Sequence, residues 1–296
     1  MIHYFIKLLS AVIVIVLMPS AHAFNESMHD LVMASLKEEL PTQQQLHFQT
    51  LAQKLVERMN AKSISSIGEV EFPEDIKTLS LFPSIVDKYS LGSVYRTYGQ
   101  IIPPALSPYR SITSGLLHYE LLPDLLSTTR CPYRPSSVRT PALLRALNQA
   151  YKDSPTLIDK AITLAFIVHI TIDIHNPLHT TTQLTHQCKP NGGGRKTCIE
   201  HVGGKCRNSL YRAVSAGYGI SDIGIENPFP QIDIKSPYTV ESIFSENLSF
   251  SQIIFDPQYW SEPDSIIIGK LIQSRLSTSV ERLRILLKGL YEYDNN

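Results

Sequence analysis

Apolar residues return at three- and four-residue intervals along most of the chain, which is the spacing of helices that bury one face. This spacing predicts helices at residues 29–40, 43–59, 73–87, 112–126, 140–151, 155–176 and 209–216, with a long helix or a helix pair at 266–291. Strand patterns are sparse, although the Gly-rich section 191–205 is compatible with a short hairpin. The pattern therefore predicts a mainly α, single-domain, multi-helix fold with long loops.

Turn and capping residues mark several boundaries of these elements. Asp153-Ser154-Pro155 and Glu262-Pro263-Asp264 each combine a capping residue with a proline, which is typical of a helix start. Residues 227–237 contain three prolines and are predicted to form a surface loop. Loops at 89–109 and 218–238 carry several tyrosines and are candidates for substrate contact.

The first 23 residues have the pattern of a secretory signal peptide. Lys7 supplies positive charge, an apolar run extends from Leu8 to Met18, and Ala21-His22-Ala23 forms an A-x-A cleavage site. The mature chain is expected to begin at Phe24 and to form one domain over residues 24–296. The pattern favours a secreted or periplasmic protein, and nothing downstream has the length of a membrane-spanning helix.

Cysteine content agrees with export. The four cysteines are even in number and lack C-x-x-C pairs, so two disulfides are favoured over a cysteine zinc site. Three connectivities are possible, and the sequence leaves all three open. The chain has 27 basic and 27 acidic residues. A bound polyanion would therefore be held by a local site or a metal, and broad coating of nucleic acid is not expected.

Three potential metal ligands interrupt the most apolar predicted helix. His169 and Asp173 are four residues apart, so they project from one face of a helix and can meet at one cation. Pro177 should end or kink this helix, which allows His179 to turn back toward the same place. A hydrogen-bonded His–Asp pair within the core would satisfy the same spacing, and the two interpretations remain open.

The segment from His169 through Asp173-Ile-His-Asn-Pro177-Leu-His179 closely resembles the central motif of the S1/P1 nuclease family, which comprises secreted zinc-dependent phosphodiesterases related to bacterial phospholipase C. Weaker similarities occur elsewhere. Phe24 and His29 have the interval of the family's first Trp and His, and Leu117-His118-Tyr119 is similar to its next His motif. Residues 83–87 resemble the segment that contributes an Asp, and residues 282–287 resemble the closing helix.

The resemblance implies a helical fold with a zinc cleft between the helices. It implies one zinc bound by Asp87, His118, His169 and Asp173. It implies a second zinc bound by His29, by Asp173 as a bridge, and by the amine and carbonyl of Phe24, for which the α-amine must be freed by signal cleavage. Asp87 and Asp173 would then be the catalytic carboxylates, and a water between the two zincs would attack the phosphorus.

The resemblance fails at the third zinc of the family. His179 is present, but the family's Asn-Leu-His-x-x-Trp-Asp motif corresponds here to residues 209–215, with Tyr211 and Ser215 at the ligand positions. Both side chains are poor zinc ligands at neutral pH. Cations near this position offer a replacement for contact with a substrate phosphate: Arg195, Lys196 and Arg212. The alternative is that they are solvated loop residues.

These features together lead to one expected function and two alternatives. The expected function is zinc-dependent hydrolysis of single-stranded nucleic acid or nucleotides, with two zincs. A phospholipase C acting on lipid head groups would use the same metals. A secreted metal-stabilised binding protein that has lost catalysis is the non-enzymatic alternative. Asn247-Leu-Ser249 also has the form of a glycosylation sequon.

Overall fold

A computed structural model describes residues 26–62, 75–117, 120–123, 131, 140–218, 239–260 and 265–296. It confirms the mainly α class. The helices in chain order are α1 (Glu26–Glu39), α2 (Thr42–Ala61), α3 (Lys77–Ile85), α4 (Leu91–Tyr98), α5 (Thr140–Asp153), α6 (Leu157–Asp173), α7 (Pro177–Thr180), α8 (Leu210–Ser215), α9 (Val240–Ile254) and α10 (Ser265–Asn295). Short 3-10 turns occur at Pro104–Tyr109, Ser114–Leu116 and Pro257–Trp260.

Strands play a small part among the described residues. β1 (Leu122–Pro123) pairs in parallel with β2 (Thr181–Thr182), directly after α7. β3 (Cys198–Val202) and β4 (Lys205–Ser209) form an antiparallel hairpin. Its two turn residues, Gly203 and Gly204, both have positive φ, which is the conformation of a two-residue hairpin turn that follows the twist of the strands. The hairpin predicted within 191–205 therefore exists, but it extends further along the chain.

Helix α6 lies at the centre of the molecule. Every residue from Ala161 to Asp173 is buried, because the sequence there is apolar around the whole helix and must be covered on all sides. Helices α1, α2, α3, α4, α5 and α10 all pack against it. Polar groups on such a helix cannot reach solvent and must find partners inside the protein.

The start of α6 differs from the prediction at Ser154. The capping residue is Thr156, whose hydroxyl accepts from the Asp159 amide at 3.2 Å and donates to Asp159 Oδ2 at 2.6 Å. Thr156 and Asp159 have the spacing of a capping box, which satisfies free amides at the helix start. The helix also ends at Asp173, three residues before the predicted boundary.

The helix predicted at 112–126 is wrong over its described residues. Only Ser114–Leu116 forms a short 3-10 turn, and Leu122–Pro123 is extended. The Ser114 hydroxyl donates to the carbonyl of Val86, which holds this segment against the end of α3. Pairing with β2 then keeps the chain extended. Tertiary contacts therefore override an apolar spacing that is compatible with a helix.

Besides the one-turn helix α7, two described helices were not predicted. Helix α4 and the 3-10 turn Pro104–Tyr109 occupy most of the 89–109 section that was expected to be a loop, and α9 begins at Val240. The signals for both were capping residues: the side chains of Ser90 and Thr239 each accept from the amide three residues later. The C-terminal segment forms one helix. The helices predicted at 29–40, 43–59, 73–87, 140–151 and 209–216 are confirmed over their described residues, within a few residues at each end.

Both predicted disulfides are present. Cys131 pairs with Cys188 and Cys198 pairs with Cys206, which selects one of the three possible connectivities. The first bridge joins segments 57 residues apart, and the second links β3 to β4. Within the described part of the chain, no helix is long and apolar enough to cross a bilayer. The signal peptide, the loop at 227–237 and the cap at 262–264 lie outside the described residues.

Candidate metal centre

Two helices that are distant in sequence bring together three of the predicted ligands. His29 comes from α1, and His169 and Asp173 come from consecutive turns of α6. All three are almost completely buried, with 1%, 1% and 0% of their surface exposed. Their ligand atoms all lie within 4.8 Å of one another. The i, i+4 spacing therefore placed His169 and Asp173 on one helix face as predicted, and the tertiary fold brought His29 beside them.

The Asp173 carboxylate lies between the two imidazoles. Its Oδ1 is 3.0 Å from His29 Nε2, and its Oδ2 is 3.0 Å from His169 Nε2. The two rings stack with their centroids 4.5 Å apart and their planes 20° apart. One carboxylate thus faces an imidazole nitrogen with each of its oxygens.

A backbone carbonyl fixes the tautomer of His169. Nδ1 of His169 lies 2.7 Å from the carbonyl oxygen of Ser80 in α3. Because a carbonyl only accepts, Nδ1 carries the proton, and the Nε2 of a neutral His169 directs a lone pair at the Asp173 carboxylate. That contact becomes favourable if Nε2 is protonated or if a cation lies between the two groups.

The pKa of His169 depends on its buried surroundings and on Asp173. Burial lowers the pKa of His169, whereas the charge and hydrogen bond of Asp173 raise it, and the net result is a pKa above the ordinary value. In the absence of a metal, protonation of His169 Nε2 would let it donate a hydrogen bond to Asp173 Oδ2. With a metal, the same nitrogen and oxygen atoms become ligands, and the Ser80 carbonyl becomes the outer partner that orients the imidazole.

The donor set fits zinc. Two imidazoles and a carboxylate are common zinc ligands, and the pattern of an imidazole oriented by a backbone carbonyl is typical of metal-binding histidines. A zinc held by these three side chains would keep further coordination positions for other groups. The remaining residues that the resemblance implies, Phe24 and His118, lie outside the described residues.

Asp87, the remaining predicted ligand among the described residues, is not grouped with His29, His169 and Asp173. It lies two residues beyond the end of α3, the helix that supplies the Ser80 carbonyl. The amide of Gly115 donates to the Asp87 carbonyl at 2.9 Å, and a Cβ on Gly115 would lie 2.9 Å from that oxygen. This packing places Asp87 beside the chain segment that continues to His118.

His179 lies in a second polar cluster. His179 is fully buried in α7, and its Nε2 is 3.0 Å from the hydroxyl of Tyr211 in α8. The two rings also stack with an interplanar angle of 27°. The guanidinium of Arg195 lies over the Tyr211 ring, with its Cζ 4.3 Å from the ring centroid. Since Tyr211 and Ser215 occupy the ligand positions, these residues do not fit the family's third zinc site.

Arg212, the other predicted phosphate contact, has a different environment. It is exposed at the start of α8, and its Nη1 is 3.5 Å from the Arg207 carbonyl. Because it follows Tyr211 directly in the helix, its side chain projects from another face. The described structure therefore places Arg195, and not Arg212, against the His179–Tyr211 pair.

The end of α6 is held by residues that were not predicted from the sequence. Asn247 Nδ2 donates to the Ile174 carbonyl at 2.6 Å and to Thr180 Oγ1 at 2.7 Å. Asn247 is fully buried, so in the folded protein it serves as a structural donor and is inaccessible as the sequon that the sequence offered. The sequence signal for the burial of Asn247 was the set of apolar residues around it in α9.

Two buried arginines and the partly exposed Glu246 form a charge cluster next to this end of α6. Arg275 and Arg282 of α10 both bind the Glu246 carboxylate, with Arg275 Nη1 2.6 Å from Oε2 and Arg282 Nη1 3.0 Å from the same oxygen. Burial lowers the pKa of Arg275 to about 10, an effect that the hydrogen bond and charge of Glu246 oppose. The seven-residue spacing of the two arginines was a usable signal, because it places both on one helix face.

Comparison with known proteins adds no family assignment. No family model matches the chain, and no curated protein matches it.

Proposed function

We propose that this protein is an exported zinc-dependent phosphodiester hydrolase similar to the S1/P1 nucleases. The observation that supports the proposal best is the buried carboxylate of Asp173 between His29 and His169, each nitrogen 3.0 Å from one oxygen. A bound cation would lie among these nitrogen and oxygen atoms, would offset the charge of the buried carboxylate and would give all three side chains a ligand role.

The chain's own residues have separate tasks in this proposal. His29 and His169 orient their Nε2 atoms toward the metal, and the Ser80 carbonyl keeps His169 in the required tautomer. Asp173 contacts both imidazoles and is suited to bridge two ions. Asp87, His118 and the Phe24 amine are the proposed additional ligands. Zinc bound here would supply Lewis acidity toward a phosphate oxygen and would acidify a water at neutral pH.

Helix α6 supports this role because it is buried and other helices pack against it. Both ligands that it carries lie in its last two turns, and its end is held by Asn247 and by the buried arginines of α10. A site on a fully packed helix holds its ligands in fixed positions, as metal catalysis requires.

The test combines metal analysis with activity on the processed chain. We expect at least two zincs per chain and hydrolysis of single-stranded DNA or RNA that is lost on chelation and restored by zinc. An Asp173→Asn variant should lose both zinc and turnover, whereas Asp153→Asn, at an exposed position of α5, should retain them. A zinc-free wild-type protein after zinc loading would contradict the proposal. Hydrolysis of phosphatidylcholine vesicles without nucleic-acid hydrolysis would replace the nuclease assignment by the phospholipase alternative.

A further inference from the structure

A cavity of about 430 Å³ opens between strand β1 and the first two turns of α5 and of α9. Pockets of this volume commonly hold small organic molecules. His29, His169 and Asp173 do not line it, so the cavity is distinct from the candidate metal centre. Much of its lining is apolar and consists of Leu122, Pro141, Ala142, Phe244 and Leu248. The cavity can therefore accommodate the apolar part of a ligand.

Glu120 supplies a buried carboxylate to this cavity. Only 5% of its surface is exposed, and it belongs to the lining. Its Oε2 accepts from the amide of Thr140, the first residue of α5, at 2.6 Å. Its Oε1 has no hydrogen-bond or ion-pair partner within the described part of the chain. Because a buried carboxylate oxygen without a donor is unfavourable, a ligand that donates to Oε1 would stabilise this arrangement.

The charges that line the cavity leave Glu120 without a counter-charge. The charged side chains of the lining are Glu120, Arg145 and Glu241. Arg145 and Glu241 are exposed and pair with each other, with Arg145 Nη1 2.9 Å from Glu241 Oε1. Because this pair is neutral as a whole, the formal charge that remains is the carboxylate of Glu120. A cationic group is therefore the complementary ligand.

We propose that this cavity binds a small organic cation, in which a primary ammonium group is attached to an apolar body. The ammonium group would donate to Glu120 Oε1, and a charged donor that meets a carboxylate away from bulk water forms a strong hydrogen bond. The apolar body would lie against α9, where Phe244 and Leu248 are four residues apart and share one helix face. This binding is additional to the proposed hydrolysis and does not depend on it.

Calorimetric titration of the full processed chain tests the proposal. The probes are the benzylammonium ion and benzyl alcohol, which has a similar shape but no charge. Glu120→Gln keeps a carbonyl oxygen for the Thr140 amide and removes the charge. We expect it to weaken benzylammonium binding by about tenfold or more, the loss typical of a charged hydrogen-bonding partner, and to leave benzyl alcohol binding nearly unchanged. Glu57→Gln is the matched control, since Glu57 is exposed on α2 and pairs with Lys54 at 2.7 Å. It should bind both probes as the wild type does.

A second variant tests the cavity without changing its charge. Ala142→Leu adds apolar volume at the lining and keeps a good helix former in α5, so it should weaken the binding of both probes. Wild-type affinity for both probes in Ala142→Leu would overturn the proposal. Equal benzylammonium affinity in Glu120→Gln and wild type would overturn it as well.

Zinc content separates this cavity from the metal centre. Glu120→Gln should keep the zinc content of the wild type, because Glu120 is not a metal ligand in the proposed function. Loss of zinc together with loss of benzylammonium binding in this variant would assign the amine to the metal and overturn the cavity. Benzylammonium binding that depends on Glu120 in a chain without zinc or hydrolytic activity would uphold the cavity and reject the proposed function.

Discussion

Arg282 Nη1 lies 3.1 Å from Nε2 of His175, two residues past the carboxylate of Asp173. The opposite nitrogen, Nδ1, is 2.6 Å from the Thr171 carbonyl and donates to it. His175 is therefore a neutral imidazole that accepts from an arginine. Burial and the charges of Arg275 and Arg282 hold the pKa of His175 well below its usual value. This contact ties the C-terminal helix to the turn that follows the candidate metal ligand.

The carboxylate of Glu246 should be required for stability, because it is the described anion that faces both buried arginines. We expect Glu246→Gln to lower the free energy of unfolding by about 3 kcal/mol, since it leaves two buried guanidinium groups with a neutral partner. Urea denaturation of the two proteins measures the difference. Glu241→Gln, in the same helix, removes an exposed pair with Arg145 and should cost less than about 1 kcal/mol. Equal effects of the two substitutions would refute this role.

Zinc should stabilise the folded protein through Asp173. A ligand that binds only the native state raises the unfolding temperature. Adding saturating zinc to metal-free wild-type protein should therefore raise its Tm. Asp173→Asn should abolish most of this shift, and Asp153→Asn should keep it. Thermal unfolding with and without zinc gives the comparison. A zinc-dependent shift of normal size in Asp173→Asn would show that the metal binds elsewhere.

Gly193 and Gly204 form a matched pair for testing the loop that carries Arg195. Both have positive φ, but a Cβ at Gly204 meets nothing within 4 Å, whereas at Gly193 it would strike the Leu178 carbonyl. We expect Gly204→Ala to cost about 1–2 kcal/mol from backbone strain alone. Gly193→Ala should cost clearly more, because the loop would have to move away from the Leu178 carbonyl. Similar costs in chemical denaturation would indicate that the approach to Leu178 is unimportant.

His47 should make stability depend on pH. Its Nε2 is 3.1 Å from Asp294 Oδ2, but that carboxylate also binds Lys160 Nζ at 2.6 Å. Burial lowers the pKa of His47, and although Asp294 raises it, the net direction is below the ordinary value of 6.5. Between the two pKa values the unfolded chain binds more protons than the fold, so stability falls as the pH decreases through 6.5.

Urea unfolding at pH 7.5 and 5.5 separates this contribution from those of the other histidines. The decrease should be smaller in His47→Gln than in wild type, by no more than about 1.4 kcal/mol, the free energy of one pKa unit. His201→Gln, on the exposed β3 strand, is the control and should keep the wild-type decrease. A steeper decrease in His47→Gln would reverse the assigned direction.

Individual residues show how much of the structure the local sequence pattern predicts. Spacing alone placed His169 and Asp173 on one face of a helix, and the structure confirms that they meet. The same kind of spacing failed at 112–126, because the hydroxyl of Ser114 and the pairing of Leu122 with Thr181 hold that chain in a non-helical path. Local periodicity reports which residues could share a face, but competing long-range contacts decide whether the helix forms.

The sequence by itself determined the mainly α class, most helix positions, the apolar central helix with His169 and Asp173 on one face, and the formation of two disulfides. These features depend on neighbours within a few residues, or on the even number of cysteines. The tertiary structure decided which cysteines pair, that His29 joins Asp173 across 144 positions, and that Tyr211 anchors His179 beside Arg195. Such contacts depend on how whole helices pack. Because this packing minimises the free energy of the entire core, no short segment encodes it.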